Sequence, residues 1–143
     1  SVAVAPNGTL VAVMRTTDQI HLWTAQSTDD GKTWQGLKDS GMKGSTPYLV
    51  TTKDGLVVAL FSRRQTSLGF EKTGMFACVS RDNGATWDTE HQMPLVETGE
   101  EFVDGYPGAV ALPDGSVYAV YGFHGAHSFG GTRFHPMNAD FGR

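Results

Sequence analysis

Arginine closes two of the apolar runs in this chain: Arg15 follows Leu10–Met14, and Arg63 with Arg64 follows Leu56–Phe61. A guanidinium is planar and always charged, and its paired N–H groups match a carboxylate bidentately, so arginines delivered at strand ends are suited to gripping an acidic ligand. The blander reading is a surface arginine where a strand stops. Further along, Tyr106 stands beside a stretch holding Glu100, Glu101 and Asp104. A carboxyl group near a phenol can act as its base or as a general acid. A solvated acidic loop next to a tyrosine packed at a strand start accounts for the same residues. His124, His127 and His135 could be metal ligands, but His-x-x-His in a glycine-rich loop, without a suitably spaced carboxylate or cysteine, is a weak zinc signal. Neither a metal nor another cofactor is expected. Cys78, the single cysteine, sits in the apolar run Met75–Val79 and reads as a buried core thiol.

The elements that must position these groups are announced by repeats. Ser27, Asp29, Gly31, Thr33 and Trp34 recur in the same order as Ser80, Asp82, Gly84, Thr86 and Trp87, giving S-x-D-x-G-x-T-W twice. The Asp carboxylate can fold back onto backbone N–H groups two residues on, Gly supplies the positive φ of a tight reversal, and Trp lays an apolar face over the turn. Both copies therefore read as turns between strands. A second phrase, Asn/Asp-Gly followed by an apolar run, occurs at Asn7-Gly8, Asp54-Gly55 and Asp114-Gly115, which is the signature of a hairpin turn opening a buried strand. Gly8 and Gly55 are 47 positions apart, Gly55 and Gly115 are 60 apart, and the two S-x-D boxes are 53 apart. Units of this length with about four strands each are what β-propeller blades look like in sequence.

The expected fold is all-β: about three β-propeller blades of four antiparallel strands, in one domain over 1–143. Blade 1 is expected at about 1–40, blade 2 at about 45–95 and blade 3 at about 102–143. The connection Pro94–Glu101 is polar and acidic and reads as exposed. Asn138, Asp140 and Gly142 fit a degenerate third box, or a chance match in a loop.

With 143 residues there is length for one domain with a real core. Eleven Lys and Arg against fifteen Asp and Glu give a mild charge of −4, and no basic cluster is dense enough to follow phosphates, so nucleic acid is a poor partner. Apolar stretches are too short to cross a membrane as helices. Ser1 in place of an initiator Met, with no leader segment, is expected of a processed chain, one cut from a longer one, or a trimmed one. Three blades do not close a ring, for which about four to eight are needed, so the partner expected is a second copy completing the propeller, unless more of the same polypeptide does so.

The repeated phrase resembles the Asp box, or BNR repeat, of the sialidase (neuraminidase) superfamily, which occurs in six-bladed propellers, and the resemblance implies that the three blades are half of a six-bladed ring. Gly8–Thr16, ending in Arg15-Thr16, is similar to the strand that delivers an arginine to the central pocket of such propellers. Gly105-Tyr106-Pro107, with Pro113-Asp114-Gly115 and Tyr118–Tyr121, looks like the tyrosine-containing strand pair of their C-terminal half. The resemblance implies exo-hydrolysis of a terminal acidic sugar, with a glycan as ligand and the boxes on the outer rim away from the active site. It implies substrate-binding roles for Arg15 and for Arg63 or Arg64, a nucleophilic role for Tyr106 in place of the usual second carboxylate, and an acid or base role for Asp104. His124, His127 and His135 could then contact a sugar at the pocket mouth. Tyr118, Tyr121, Phe123 and Phe129 could stack on one, or fill the space between blades from alternate strand positions.

The sequence also departs from the family. No aromatic-Arg-Ile-Pro phrase is present, His21 and Leu22 stand where an arginine often enters the strand before the first box, and the loop acid of the N-terminal half has no counterpart. A single copy is therefore not expected to hydrolyse sialosides. The same box occurs in other glycoside hydrolases and in non-catalytic propellers, so the alternative expectation is a module that binds glycan or protein.

Overall fold

The computed structural model describes residues 1–18, 20–64, 69–98, 106–123 and 128–138. Eleven strands fall into three antiparallel sheets among these residues. The first sheet holds β1 (Val2–Val4), β2 (Leu10–Arg15), β3 (His21–Ser27) and β4 (Gln35–Lys43). The second holds β5 (Ser45–Thr51), β6 (Val57–Arg63), β7 (Gly74–Ser80) and β8 (Met93–Glu97), and the third holds β9 (Gly108–Ala111), β10 (Val117–Phe123) and β11 (Ser128–Phe134). In every sheet the strands follow chain order, each pairing with the next. The first strands β1, β5 and β9 lie beside one another at the inner edges. These are blades of a β-propeller. Among the described residues no helix is long and apolar enough to cross a membrane.

Strand parity explains the stacking. On β6, Val57, Ala59 and Phe61 face the first sheet and join Val11, Val13, Leu22, Met42 and Cys78 in one core. Val58 and Leu60 point the other way and meet Ala77, Val117, Ala119 and Phe134 of a second core. A strand buried on both faces must be apolar at successive positions, which is why Leu56–Phe61 shows no alternation. Cys78 is buried, its Sγ reaches the Asp88 carbonyl at 3.3 Å, and burial pushes its pKa up to about 12, so the thiol is inert.

The two kinds of turn sit at one end of the sheets. Three Asx-Gly turns have the same geometry: Gly8, Gly55 and Gly115 have φ of +87°, +88° and +86°, and each donates its N–H to the carbonyl three residues earlier. The boxes are also alike. Thr33 N and Oγ1 donate to the two oxygens of Asp29 at 2.9 and 2.6 Å, as Thr86 does to Asp82 at 2.8 and 2.5 Å, while Ser27 and Ser80 accept from Gly31 and Gly84. The carboxylate thus reaches four residues ahead rather than two, because the left-handed Asp30-Gly31 and Asn83-Gly84 pairs curl the chain back over it. The hydroxyl and N–H of Thr33, then Ser27, hold the Asp29 pKa down at about 2. For Asp82 burial pushes upward, but the combined bonds from Thr86 and Ser80 win and the pKa falls below the usual carboxylate value.

Candidate functional site

Because each sheet runs up and down in order, β2, β4, β6 and β8 all finish at the end opposite the boxes. Arg15 closes β2 there, Arg63 closes β6, and Arg64 follows. A groove of about 400 Å³ opens at this end, lined by Arg15, Thr46, Pro47, Tyr48, Tyr106 and Pro107. It gathers residues from the first sheet, the second sheet and the segment leading into the third.

Arg15 reaches across from the first sheet, its Nη1 donating to Ser45 Oγ at 3.4 Å. Tyr106 is 78% exposed, and the Arg64 guanidinium lies 5.4 Å from its ring centroid. Arg64 Nε donates to Ser62 Oγ at 3.4 Å, and its Nη2 is buried without a hydrogen-bond partner among the described residues. Arg15 thus shares the groove with this exposed phenol while Arg64 lies over its ring, and a buried donor without a partner among the described residues favours an incoming acceptor.

Arg63 is used differently. Its Nε donates to the Lys43 carbonyl at 3.2 Å, its Nη2 to Gln92 Oε1, and its guanidinium covers the Phe76 ring at 4.2 Å. Burial lowers its pKa. The cation–π stack and backbone bond make it a clasp between β4, β6 and the turn before β8, away from the groove lining. Of the two adjacent arginines, it is Arg64 that approaches Tyr106.

Asp104, Glu100, Glu101, His124 and His127 lie outside the described residues. His135 is exposed and lines a separate cleft between β8 and β11 with Met93, Leu95 and Phe134. Among the described residues no three His, Cys, Asp or Glu side chains come together as a metal site. Tyr121 is buried, bonded to Thr132 Oγ1 at 2.6 Å and edge-on to Phe123, whereas Tyr118 and Phe129 are exposed on the opposite face of the third sheet. The four aromatics thus divide by strand parity.

Three features of this end escape sequence reasoning. Ser45, Thr46 and Ser62 form a hydroxyl cluster beneath the groove, and Thr46 has a φ of +48°, a conformation no sequence pattern marks for a β-branched residue. Tyr48 lines the groove beside Arg15. In the loop after β2, Asp18 accepts from Thr16 Oγ1 at 2.5 Å and lies 2.7 Å from His21 Nδ1, and these bonds, Thr16 first, hold its carboxyl well below the usual range.

The model of the BNR repeat-like domain matches residues 1–125, most of the sequence. The chain belongs to the BNR repeat-like family. No curated protein matches it in sequence. Among solved structures, a protein of unknown function from Dyadobacter fermentans is similar at 24% identity and a TM-score of 0.71, covering 93% of this chain and 36% of that one. An α-L-arabinanase from Penicillium chrysogenum, in complex with arabinobiose, is similar at 20% identity and a TM-score of 0.67, covering 92% of this chain and 43% of its own. An intramolecular trans-sialidase from Ruminococcus gnavus, in complex with oseltamivir carboxylate, gives 15% and 0.62, with 97% and 32% covered. At these identities the likeness establishes the propeller fold. This BNR repeat-like chain spans less than half the length of each of those structures.

Proposed function

We propose that this chain is part of a glycoside-hydrolase-type propeller that cleaves a terminal acidic sugar, with the groove at Arg15, Tyr48 and Tyr106 as its ligand site. The observation that carries the reading is an exposed tyrosine that shares a groove with Arg15 and has the Arg64 guanidinium over its ring. In this reading the guanidiniums take the sugar carboxylate, Tyr106 attacks the anomeric carbon, and Asp104 supplies the acid or base function. The similarity in fold to an arabinanase and a trans-sialidase is in keeping with a glycosidase. The pocket wall that three sheets leave open is completed by a second copy of the chain or by more of the same polypeptide.

A non-catalytic glycan-binding module is the second reading. It is favoured by the lining itself, which holds no carboxylate among the described residues. The test is turnover of a fluorogenic α-sialoside, with a fluorogenic α-L-arabinofuranoside in parallel. Turnover of the sialoside is expected to drop by about two orders of magnitude or more in Tyr106→Phe, and its efficiency by tenfold to a hundredfold in Arg15→Ala, the latter corresponding to about 1.5–3 kcal/mol for hydrogen bonds to a charged group. Sialoside binding without turnover establishes the module. Arabinofuranoside turnover alone removes the acidic-sugar assignment.

A further inference from the structure

Beneath the groove the backbone of β5 is irregular. Ser45 pairs with Ser62 and Tyr48 with Leu60, so β5 carries one residue more than β6 over this interval, a bulge at Thr46-Pro47. Thr46 takes the left-handed conformation, which is costly for a β-branched residue, and the following proline restricts it further. Gly44 packs so closely that a Cβ there would lie 2.5 Å from Phe61 Cδ2 and 2.9 Å from the Ser62 carbonyl oxygen. The bulge is thus pressed against β6 and held in an unfavourable shape. Strain of this kind persists where surrounding structure enforces it, and it concentrates at binding sites.

The bulge joins two buried hydroxyls and ties them to Ser45 through its backbone. Thr46 Oγ1 and Ser62 Oγ are 2.9 Å apart, and Ser62 Oγ donates to the Ser45 carbonyl at 3.4 Å. Each end of the group meets one arginine: Ser45 Oγ accepts from Arg15 Nη1 at the groove, and Ser62 Oγ accepts from Arg64 Nε, whose guanidinium lies over the Tyr106 ring. Both contacts are 3.4 Å, long enough to steer a guanidinium while leaving its remaining donors for another acceptor.

We propose that Ser45, Thr46 and Ser62 are positioning residues: a buried hydroxyl tray, built by the Thr46 bulge, that fixes the spacing and aim of the Arg15 and Arg64 guanidiniums. The tray couples two arginines from different sheets, so a planar acceptor in the groove meets both without reordering either side chain. What it positions them for rests on the ligand reading above; that it positions them does not.

The test uses side-chain ¹⁵N relaxation of the arginine Nε–H groups in the whole chain, with binding of methyl α-N-acetylneuraminide and its neutral methyl ester measured on the same samples. In the parent the Arg64 Nε–H order parameter is expected near the rigid value of about 0.85, falling below about 0.6 in Ser62→Ala. Thr46→Val, which keeps the β-branched shape and removes the hydroxyl, is expected to lower it in the same direction and serves where Ser62→Ala fails to fold. Affinity for the acid is expected to fall about tenfold in both variants while the weak binding of the ester is unchanged, a difference that general loosening of the fold would not produce. A mobile Arg64 in the parent, or an order parameter untouched by either variant, overturns the tray. An ordered Arg64 that the variants release, in a protein that binds neither sugar, leaves the tray standing and removes the sugar reading instead.

Discussion

Two glycines with nearly the same backbone conformation carry different loads. Gly8 has a φ of +87° and open space where a Cβ would go; Gly84 has a φ of +83°, and a Cβ there would lie 2.5 Å from Val11 Cγ1 and 2.6 Å from Cγ2. Gly8→Ala therefore meets only the left-handed strain, about 1–2 kcal/mol. Gly84→Ala adds an overpacking cost of about 1–3 kcal/mol, because Val11 is fully buried and has nowhere to retreat. Urea unfolding should separate the two by the difference in midpoint at constant slope; equal losses would mean that the second box does not rest on the first sheet. At this scale the boxes were legible because Ser, Asp, Gly and Thr each answer a specific backbone demand. The groove was legible only in part. Arg15 and Tyr106 are brought to one groove, but no local signal separates Arg64 from Arg63, whose role depends on the Phe76 ring beneath it. The left-handed Thr46 is invisible in sequence, since tertiary packing alone imposes it.

Among the elements, β6 and β10 read alike and behave differently. Both are apolar at successive positions, and both open after an Asx-Gly turn. Every residue of β6 from Val57 to Ser62 is buried, whereas β10 alternates, with Val117, Ala119 and Tyr121 buried and Tyr118 and Val120 exposed. Apolar composition showed that these strands can be buried on both faces; which face is covered depends on neighbouring sheets that periodicity does not report. The physical difference predicts unequal costs. Phe61→Ala removes a ring that stacks on Phe76 at 6.3 Å and fills the first core, so a loss of about 3–5 kcal/mol is expected. Tyr118→Ala, measured in dilute solution where copies are apart, should cost less than about 1 kcal/mol. Comparable losses would indicate that Tyr118 packs on something within a single chain.

At the scale of the molecule, the three sheets form an arc with two apolar ends. On the third sheet the register sets Tyr118 opposite Val110, two residues from Val120, with Phe129 opposite Gly122 on the same exposed face. On the first sheet Val2, Val4 and Met14 are exposed on the face shared with Leu10 and Ala12. The boxes show what belongs there. The second box is seated on the first sheet: Lys38 Nζ and Gln26 Nε2 each donate at 2.8 Å to its carbonyls, and Trp87 is only 8% exposed. Trp34, at the matching place in the first box, is 43% exposed, as it would be if its own supporting sheet came from elsewhere. If a second copy supplies that sheet, the third sheet of each chain covers the first sheet of the other, and two chains close a ring with two-fold symmetry. The native mass should then be twice that of one chain, and Val120→Lys or Met14→Lys should return it to one by placing a charge on an apolar contact. Each of these variants acts on a different end of the arc, yet in a closed dimer both ends belong to the same repeated contact, so either substitution alone must abolish the ring. A stable monomer with Trp34 still exposed assigns the missing sheets to another polypeptide segment, and a series of ever larger species, rather than a closed dimer, would mean that the angle between sheets does not close at two chains.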